Sequence, residues 1–499
     1  MKIQAIKGGY LVQTQESEQI DLLDISNKNL TGILMFSKNN KIKRINCSNN
    51  NLTQIYYLAD DVEYLDCSNN QIEKLYLPKG LTGLKLDSNP LAHLTFDYCS
   101  NFNSSIDLFP DTITHLEFKP HSKFNQPINK YPRDLTHLIF GNSFNQSVGP
   151  LPETLIELIF EEFSKFNQPI NFFPENLKKL ELGSDFNFPL ENLPTNLTHL
   201  TFSEYSNFNN KINFPQNLTH VTFPNRFNQP INSLPDSVKS LVLGEEFSQS
   251  FDFLPKNLEK LILNCEFVES FEVLPKTLTH LIMNNIYALN QLEYLPQSIC
   301  HLKIANFDES IGSLHNKLNL ISLEFSHSCT FDEPIDWAPP NLKELTFGIY
   351  FNHPVDNLPS GLTKLTFGSN FNKPVDNLPN SLIELTFGSE FNLPIDHLPN
   401  SIVRLQFNPC SEFNYPVDCL PNSLKYLSFD CGSKFSHQLD SLADGIEELT
   451  LGCKNFSHQV SKLPGSIKKI LVDNYEQKKL FDEKYHKIID KLYIQSIHD

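Results

Sequence analysis

The chain has 499 residues, with 40 Phe and 32 Pro against one Trp and three Met, and a formal charge of −18 at pH 7. That charge repels a nucleic-acid backbone or an anionic membrane and argues against both as partners. A hydrophobic content of 40% is enough to bury a continuous core, which excludes wholesale disorder.

The N-terminus, MKIQAIKGGYLVQTQESEQI, has no apolar core long enough for a secretory signal, and no run of eighteen apolar residues occurs anywhere. Ten Cys are scattered without CxxC pairs or even spacing, which speaks against a zinc site or a disulfide framework. These features predict a reduced, cytoplasmic, monomeric protein without cofactor, bound metal or membrane contact. Sequons such as Asn51-Leu-Thr53 are then accidents of an Asn-rich chain.

Self-similarity organises everything that follows. Residues 1–22 read as an N-terminal cap. Over 23–99, four segments line up: LDISNKNL from Leu23, INCSNNNL from Ile45, LDCSNNQI from Leu65 and LKLDSNPL from Leu84. They follow the leucine-rich pattern LxLxxNxL, in which a short strand buries alternate side chains and Asn50, Asn70 or Asn89 turns the chain off the sheet. From about residue 100 to 462 the unit changes its residues but keeps its length, so one sheet is expected to run on unbroken. FNHPVDNLPSGLTKLTFGSN from Phe351 is followed by FNKPVDNLPNSLIELTFGSE from Phe371, and the same frame starts at Phe102, Phe124, Phe144, Phe166, Phe186 and Phe208, among others. Steps are mostly 20 or 22 residues, and the frame degrades through 283–330, where Phe267 precedes it and His315 replaces the usual Pro.

The frame FNxP-I/V-D/N-x-LPxxLxxLxFG resembles the FNIP repeat family of leucine-rich-repeat-like solenoids. The resemblance implies a protein-interaction role and, for members that carry an F-box, a substrate-recognition subunit of a ubiquitin ligase. The residues by themselves predict a leucine-rich-repeat-like solenoid. Its LxF strands form a continuous parallel sheet on one face. The LPxxL segments form short 3₁₀ or turn crossovers on the other, because Pro suits a first turn where its missing N–H would be unpaired anyway. The Phe of each FN is expected to stack on the next, and the Asn after it to bond neighbouring backbone. The Asp column at Asp336, Asp356, Asp376, Asp396 and Asp418 alternates with Asn at equivalent positions such as Asn129 and Asn171, so it reads as a turn-bonding position and not a cation ladder. Over 463–499, Phe481, Tyr485, Ile488, Ile489 and Leu492 fall at helical spacing and predict an amphipathic capping helix.

Function belongs where packing does not dictate the residue. On the outward, concave side of the strands one column carries His115, His137, His199 and His220, and the next carries Ile139, Ile159, Val242, Ile262 and Ile282. An apolar stripe on an exposed sheet marks a contact surface. The strand-exit loops, where the 22-residue repeats hold their extra residues, are a second candidate, and Cys431 and Cys453 hold matching positions there. Trp337 on the turn side is a candidate anchor. No catalytic motif or clustered set of catalytic residues appears, which predicts a binding scaffold and not an enzyme; a ligase subunit or a structural spacer are the alternatives.

Overall fold

The structure is a computed structural model that describes residues 2–14, 19–37, 40–266, 270–284, 292–305, 314, 316–317, 319–453 and 456–492. Phe267, His315 and much of the 283–330 stretch lie outside the described residues. The chain forms two compact units, Met1–Leu258 and Glu259–Asp499.

The first unit opens on an antiparallel hairpin, β1 (Lys2–Ile6) and β2 (Gly9–Gln13). Every later pairing is parallel, as a one-way solenoid requires. Strands β3 (Gln19–Asp24), β5 (Lys41–Asn46), β7 (Tyr64–Asp66) and β9 (Gly83–Lys85) form one sheet. These are the LxLxxNxL strands, with Leu23, Ile45, Leu65 and Leu84 in register. On the other half of each repeat, β4 (Thr31–Phe36) and β6 (Asn51–Tyr56) extend the hairpin into a second sheet.

The long sheet begins with β8 (Lys74–Leu77) and continues through β10 (His93–Phe96), β11 (His115–Phe118), β12 (His137–Phe140), β13 (Glu157–Phe160), β14 (Lys179–Leu182), β15 (His199–Phe202), β16 (His220–Thr222) and β17 (Ser240–Leu243). It follows β6, whose Leu52 carbonyl accepts from the Gln71 amide at 2.8 Å. The unbroken sheet anticipated from the sequence is therefore two different ones. The LxF strands of the later repeats continue the row Leu34, Ile55, Leu75, Leu94 and not the LxLxxN row. The proline of FNxP contributes at Pro127, Pro169, Pro189 and Pro230, where it removes a ladder N–H, while Ser105, Ser147, Lys211 and Ser250 stand at the same point of the other repeats. In that half, an isolated bridge such as Leu190–Ile212 is what remains.

The second unit runs from β18 (Lys260–Leu263) through β19 (His280–Met283), β20 (His301–Ile304), β21 (Ser322–Phe325), β22 (Glu344–Thr346), β23 (Lys364–Thr366), β24 (Glu384–Phe387), β25 (Arg404–Phe407), β26 (Tyr426–Phe429), β27 (Glu448–Leu451) and β28 (Lys469–Val472) to β29 (Ile489–Lys491). Among the described residues there is no α-helix. The expected C-terminal helix is instead two 3₁₀ segments, Tyr475–Leu480 and Glu483–Tyr485, followed by β29, which adds to the sheet edge through Ile470–Ile489. Phe481, Tyr485 and Ile489 are buried there, so the apolar residues cap the open end in a conformation their helical spacing did not specify. The sheet edge decides this, because a third-turn helix would leave the β28 amides unpaired.

Two aromatic columns fill the core. FN Phe rings follow one another at 6.3 Å (Phe102–Phe124), 5.8 Å (Phe124–Phe144) and 6.1 Å (Phe371–Phe391). Each packs still closer on the LxF Phe just before it, at 3.9 Å for Phe140–Phe144 and 3.7 Å for Phe367–Phe371. All of these rings are buried, each a gain of roughly 1.5–3 kcal/mol. The Asn of FN links repeats as expected: Asn125 Oδ1 accepts from the Asn145 amide at 2.8 Å and Asn372 Oδ1 from the Asn392 amide at 3.1 Å. In the leucine-rich part Asn50 does more, accepting from the Lys28 and Leu30 amides and donating to the carbonyls of Ile25, Cys47 and Ser48. The Asp column works differently from the turn bond expected of it. Asp336 and Asp356 each accept from the side-chain amide of the next repeat's Asn, Asn357 and Asn377, at 3.0 Å.

Strand exits come in two lengths. Most short exits place Gly directly after the last residue of the LxF motif, with Pro224 and Asn264 as exceptions: a Cβ on Gly368 would stand 1.8 Å from the Gly348 carbonyl oxygen, and one on Gly388 1.9 Å from that of Gly368. Long exits have no such Gly and carry a buried Ser instead, such as Ser164 or Ser206, whose hydroxyl accepts from the Phe amide two residues on. Residues at the tip of some long exits, Cys99, His121 and Cys410, take positive φ of 56°, 61° and 60°.

Candidate binding surface

The strands set up the outward columns. With Leu138 and Phe140 buried, His137 and Ile139 must face away from the core, and the same alternation holds along β11 to β15. The register then makes equal positions neighbours: His115 beside His137, Ile139 beside Ile159, His199 beside His220, and Ile262 beside Ile282. All five apolar positions are half-buried. They do not form one stripe. Ile139 and Ile159 are bounded by Glu117 and Glu181, and Val242 sits beside Thr222. In the second unit Ile282 is followed by Lys303 and Glu324, which pair at 2.6 Å.

Histidines stack more tightly than sequence suggested, and the column includes His93, which that reading overlooked. Ring centroids lie 4.1 Å apart for His93–His115, 4.0 Å for His115–His137, 4.3 Å for His199–His220 and 4.3 Å for His280–His301. The preceding Thr fixes the tautomer. Thr114, Thr136, Thr198, Thr219 and Thr279 each donate their one hydroxyl proton to a carbonyl of the previous repeat. The hydroxyl oxygen can then only accept from the neighbouring ring, so Nδ1 carries the hydrogen at 2.8–2.9 Å and Nε2 keeps its lone pair. Burial against the sheet, then His137, His93 and Lys74, push the His115 imidazole down to about 4. Burial likewise lowers His93, His199 and His280. In these four rings burial favours the neutral imidazole. His137 has Glu157 3.8 Å away. Among the described residues no group of three His, Cys, Asp or Glu is placed to hold a metal.

Trp337 is half-buried: its indole N–H donates to the Pro334 carbonyl at 3.1 Å and its ring meets Phe331 edge-on at 6.2 Å. All ten cysteines are free thiols, Cys431 and Cys453 included. Burial pushes Cys47 and Cys453 up to about 12, which leaves them inert.

Several exposed apolar side chains stand at the strand exits and turns: Phe163, Tyr205 and Tyr98 on long exits, Phe172 and Leu108 just before the turn proline. Sequence pattern had picked out the exit loops but not these rings. A comparison of LPxxL-side and exit-side positions repeat by repeat would have shown that nothing in the frame asks for an aromatic there.

The FNIP repeat model matches residues 124–163, 166–205, 208–246, 227–266, 331–370, 351–388 and 371–410. The chain carries FNIP repeats. Among solved structures it is similar to CroV588, described as a novel circular LRR protein, at 26% identity and a TM-score of 0.55, over 99% of this chain and 100% of that one. It also matches YopM from Yersinia enterocolitica at 19% identity and a TM-score of 0.35, over 91% of each chain. A third match is the TLR13–ssRNA13 complex, at 14% identity and a TM-score of 0.44, over 88% of this chain and 77% of that one. No curated protein matches the chain. The FNIP repeats thus build an LRR-like β-solenoid with a long parallel sheet, and among the described residues no helix is long and apolar enough to cross a membrane.

Proposed function

We propose that this FNIP-repeat chain is a protein-interaction scaffold that binds a protein partner across the outward face of its long sheet. The observation that supports the reading is the pairing of Ile139 with Ile159 and of Ile262 with Ile282 at positions that packing leaves free. Apolar residues on a half-exposed sheet lose water on binding and cost the fold little when replaced. Stacked His rings alongside, at His115, His137, His199 and His220, add flat ring surface. Their close spacing, against about 6 Å between core Phe rings, favours the outward face as the inner side of the local bend within each unit. Trp337 is held by its own repeat and is not needed for this surface.

The test is affinity capture with wild type and with Ile139→Lys/Ile159→Lys and Ile262→Lys/Ile282→Lys, followed by hydrogen-exchange mapping of the complex. Loss of the captured protein with either pair, and protection over β12–β13 or β18–β19, is the expected result. An unchanged captured set together with unprotected strands removes the sheet-face reading.

A further inference from the structure

The structure assigns a second contact surface to the strand-exit edge of the first unit: an exposed aromatic platform, Phe163 with Tyr205, that receives an arginine- or lysine-bearing segment of a partner protein. This rests on the scaffold reading but uses none of the residues of the sheet face. The two rings belong to repeats that are not adjacent. Between them lies a repeat with a short exit, Gly183–Asp185, so the long exits at 161–165 and 203–207 overhang a gap. Their rings meet across it at 5.6 Å, stacked at 22°.

Packing does not account for this pair. Phe163 is 56% and Tyr205 55% exposed. At the same point of other long exits the chain places Cys99, His121 and Cys410, so neither size nor aromaticity is required of the fold. The buried Ser164 and Ser206 already satisfy the backbone of each loop through the Phe166 and Phe208 amides.

Charge selects the occupant. The two loops and the exit between them carry Glu161, Glu162, Asp185 and Glu204 against a single Lys165. Glu161 is half-buried, and burial followed by repulsion from Glu117, Glu181 and Glu162 pushes its carboxyl up. Arg226, the cation beside the second loop, is engaged with Asn207 Oδ1 and lies 4.0 Å from Glu246. The Glu204 carboxylate beside the Tyr205 hydroxyl raises the phenol's affinity for its proton. An aromatic face rimmed by carboxylates is the arrangement that holds a guanidinium or ammonium: the ring quadrupole attracts the cation, and the carboxylates complete it. An acidic segment is repelled by the same groups.

The full chain is titrated with fluorescein-labelled Gly-Arg-Arg-Gly-Arg-Arg-Gly, and with versions carrying Gln or Glu in place of Arg, at 0.05 and 0.15 M salt. Binding of the Arg peptide alone is expected, with affinity down at least tenfold in Phe163→Ala/Tyr205→Ala and in Glu161→Gln/Glu162→Gln/Glu204→Gln. A control, Asp376→Asn/Asp396→Asn/Asp418→Asn, removes as many carboxylates at positions where other repeats already use Asn, and stays within twofold of wild type. The proposal is overturned if the Arg peptide does not bind, if the Gln peptide binds equally, if the aromatic pair is without effect, or if the control loses as much as the glutamate variant. Because the probe is a peptide and the readout direct, failure here leaves the sheet-face reading to its own experiment.

Discussion

Gly368→Ala tests the packing rule that lets a 20-residue repeat close. The backbone at Gly368 lies outside the left-handed region, so only space forbids a side chain there. An added Cβ would stand 1.8 Å from the Gly348 oxygen and 2.4 Å from its carbonyl carbon, whereas ordinary contact begins at 3.4 Å. The two rungs must therefore separate by about 1.6 Å at the exit. Two backbone bonds flank that point, Phe347 to Thr366 and Asn370 to Ile349, both 2.9 Å, and neither survives such a shift. Losing them costs about 1 kcal/mol each. Overpacking of the Phe347, Phe351, Phe367 and Phe371 rings adds 1–3 kcal/mol, for a total of about 3–5 kcal/mol. Gly465 is the matched control, since nothing lies within 4 Å of a Cβ there, and Gly465→Ala is expected to be neutral or slightly stabilising. Because repeat arrays open locally, the decisive assay is amide exchange over residues 345–390 beside the urea midpoint. If Gly368→Ala exchanges like wild type in that window, and melts with the Gly465 variant, the steric account of the short exit is wrong.

Other expectations follow from single groups. Asn50→Ala strips the partner from two amides and three carbonyls at a position 6% exposed and is expected to lower stability by about 3 kcal/mol, read by thermal unfolding. Asn50→Asp restores little of it, since a carboxylate cannot donate to the carbonyls of Ile25, Cys47 and Ser48; full recovery with Asp would contradict the ladder assignment. Ser206→Ala removes the acceptor of the Phe208 amide and the donor to the Phe186 carbonyl and should cost about 1–2 kcal/mol. Limited proteolysis should then cut faster within 203–207, and an unchanged rate argues against the serine as the clasp of long exits. His115 titrates in the fold near 4 against 6.5 unfolded, so its contribution is intact above about pH 6.5 and is lost as pH falls toward 4. With discount for partial exposure the loss is about 1 kcal/mol. NMR titration of the His115 ring reads this directly; a midpoint near 6.5 would show that the stack does not hold it neutral.

Much of the fold is legible in the residues. The LxF alternation placed Leu138 and Phe140 inside and Ile139 outside, and the recurrence of FN placed Phe124, Phe144 and Phe166 in one column. Both depend only on a strand period of two and a constant repeat, which are properties of order along the chain. The geometry of the candidate surface was legible in part: the outward placement of its columns was, while His93 and the Phe163–Tyr205 pair were not. His93 follows Ala and not Thr, which breaks the pattern, and the platform joins two repeats across a third.

What the sequence determines alone, then, is the translational unit, because each rung repeats the same local preferences and the same buried side chains. Tertiary structure decides which half of that unit carries the sheet. LxLxxN and LxF look like two versions of one strand, yet they lie in separate sheets, and the FNxP proline, in the repeats that carry it, withholds a ladder donor from one half while the other keeps all of its own. The C-terminal segment shows the same limit: spacing alone permits a helix over 478–493, but the open edge of β28 offers unpaired backbone groups, and pairing them with β29 satisfies more polar groups than an isolated helix would.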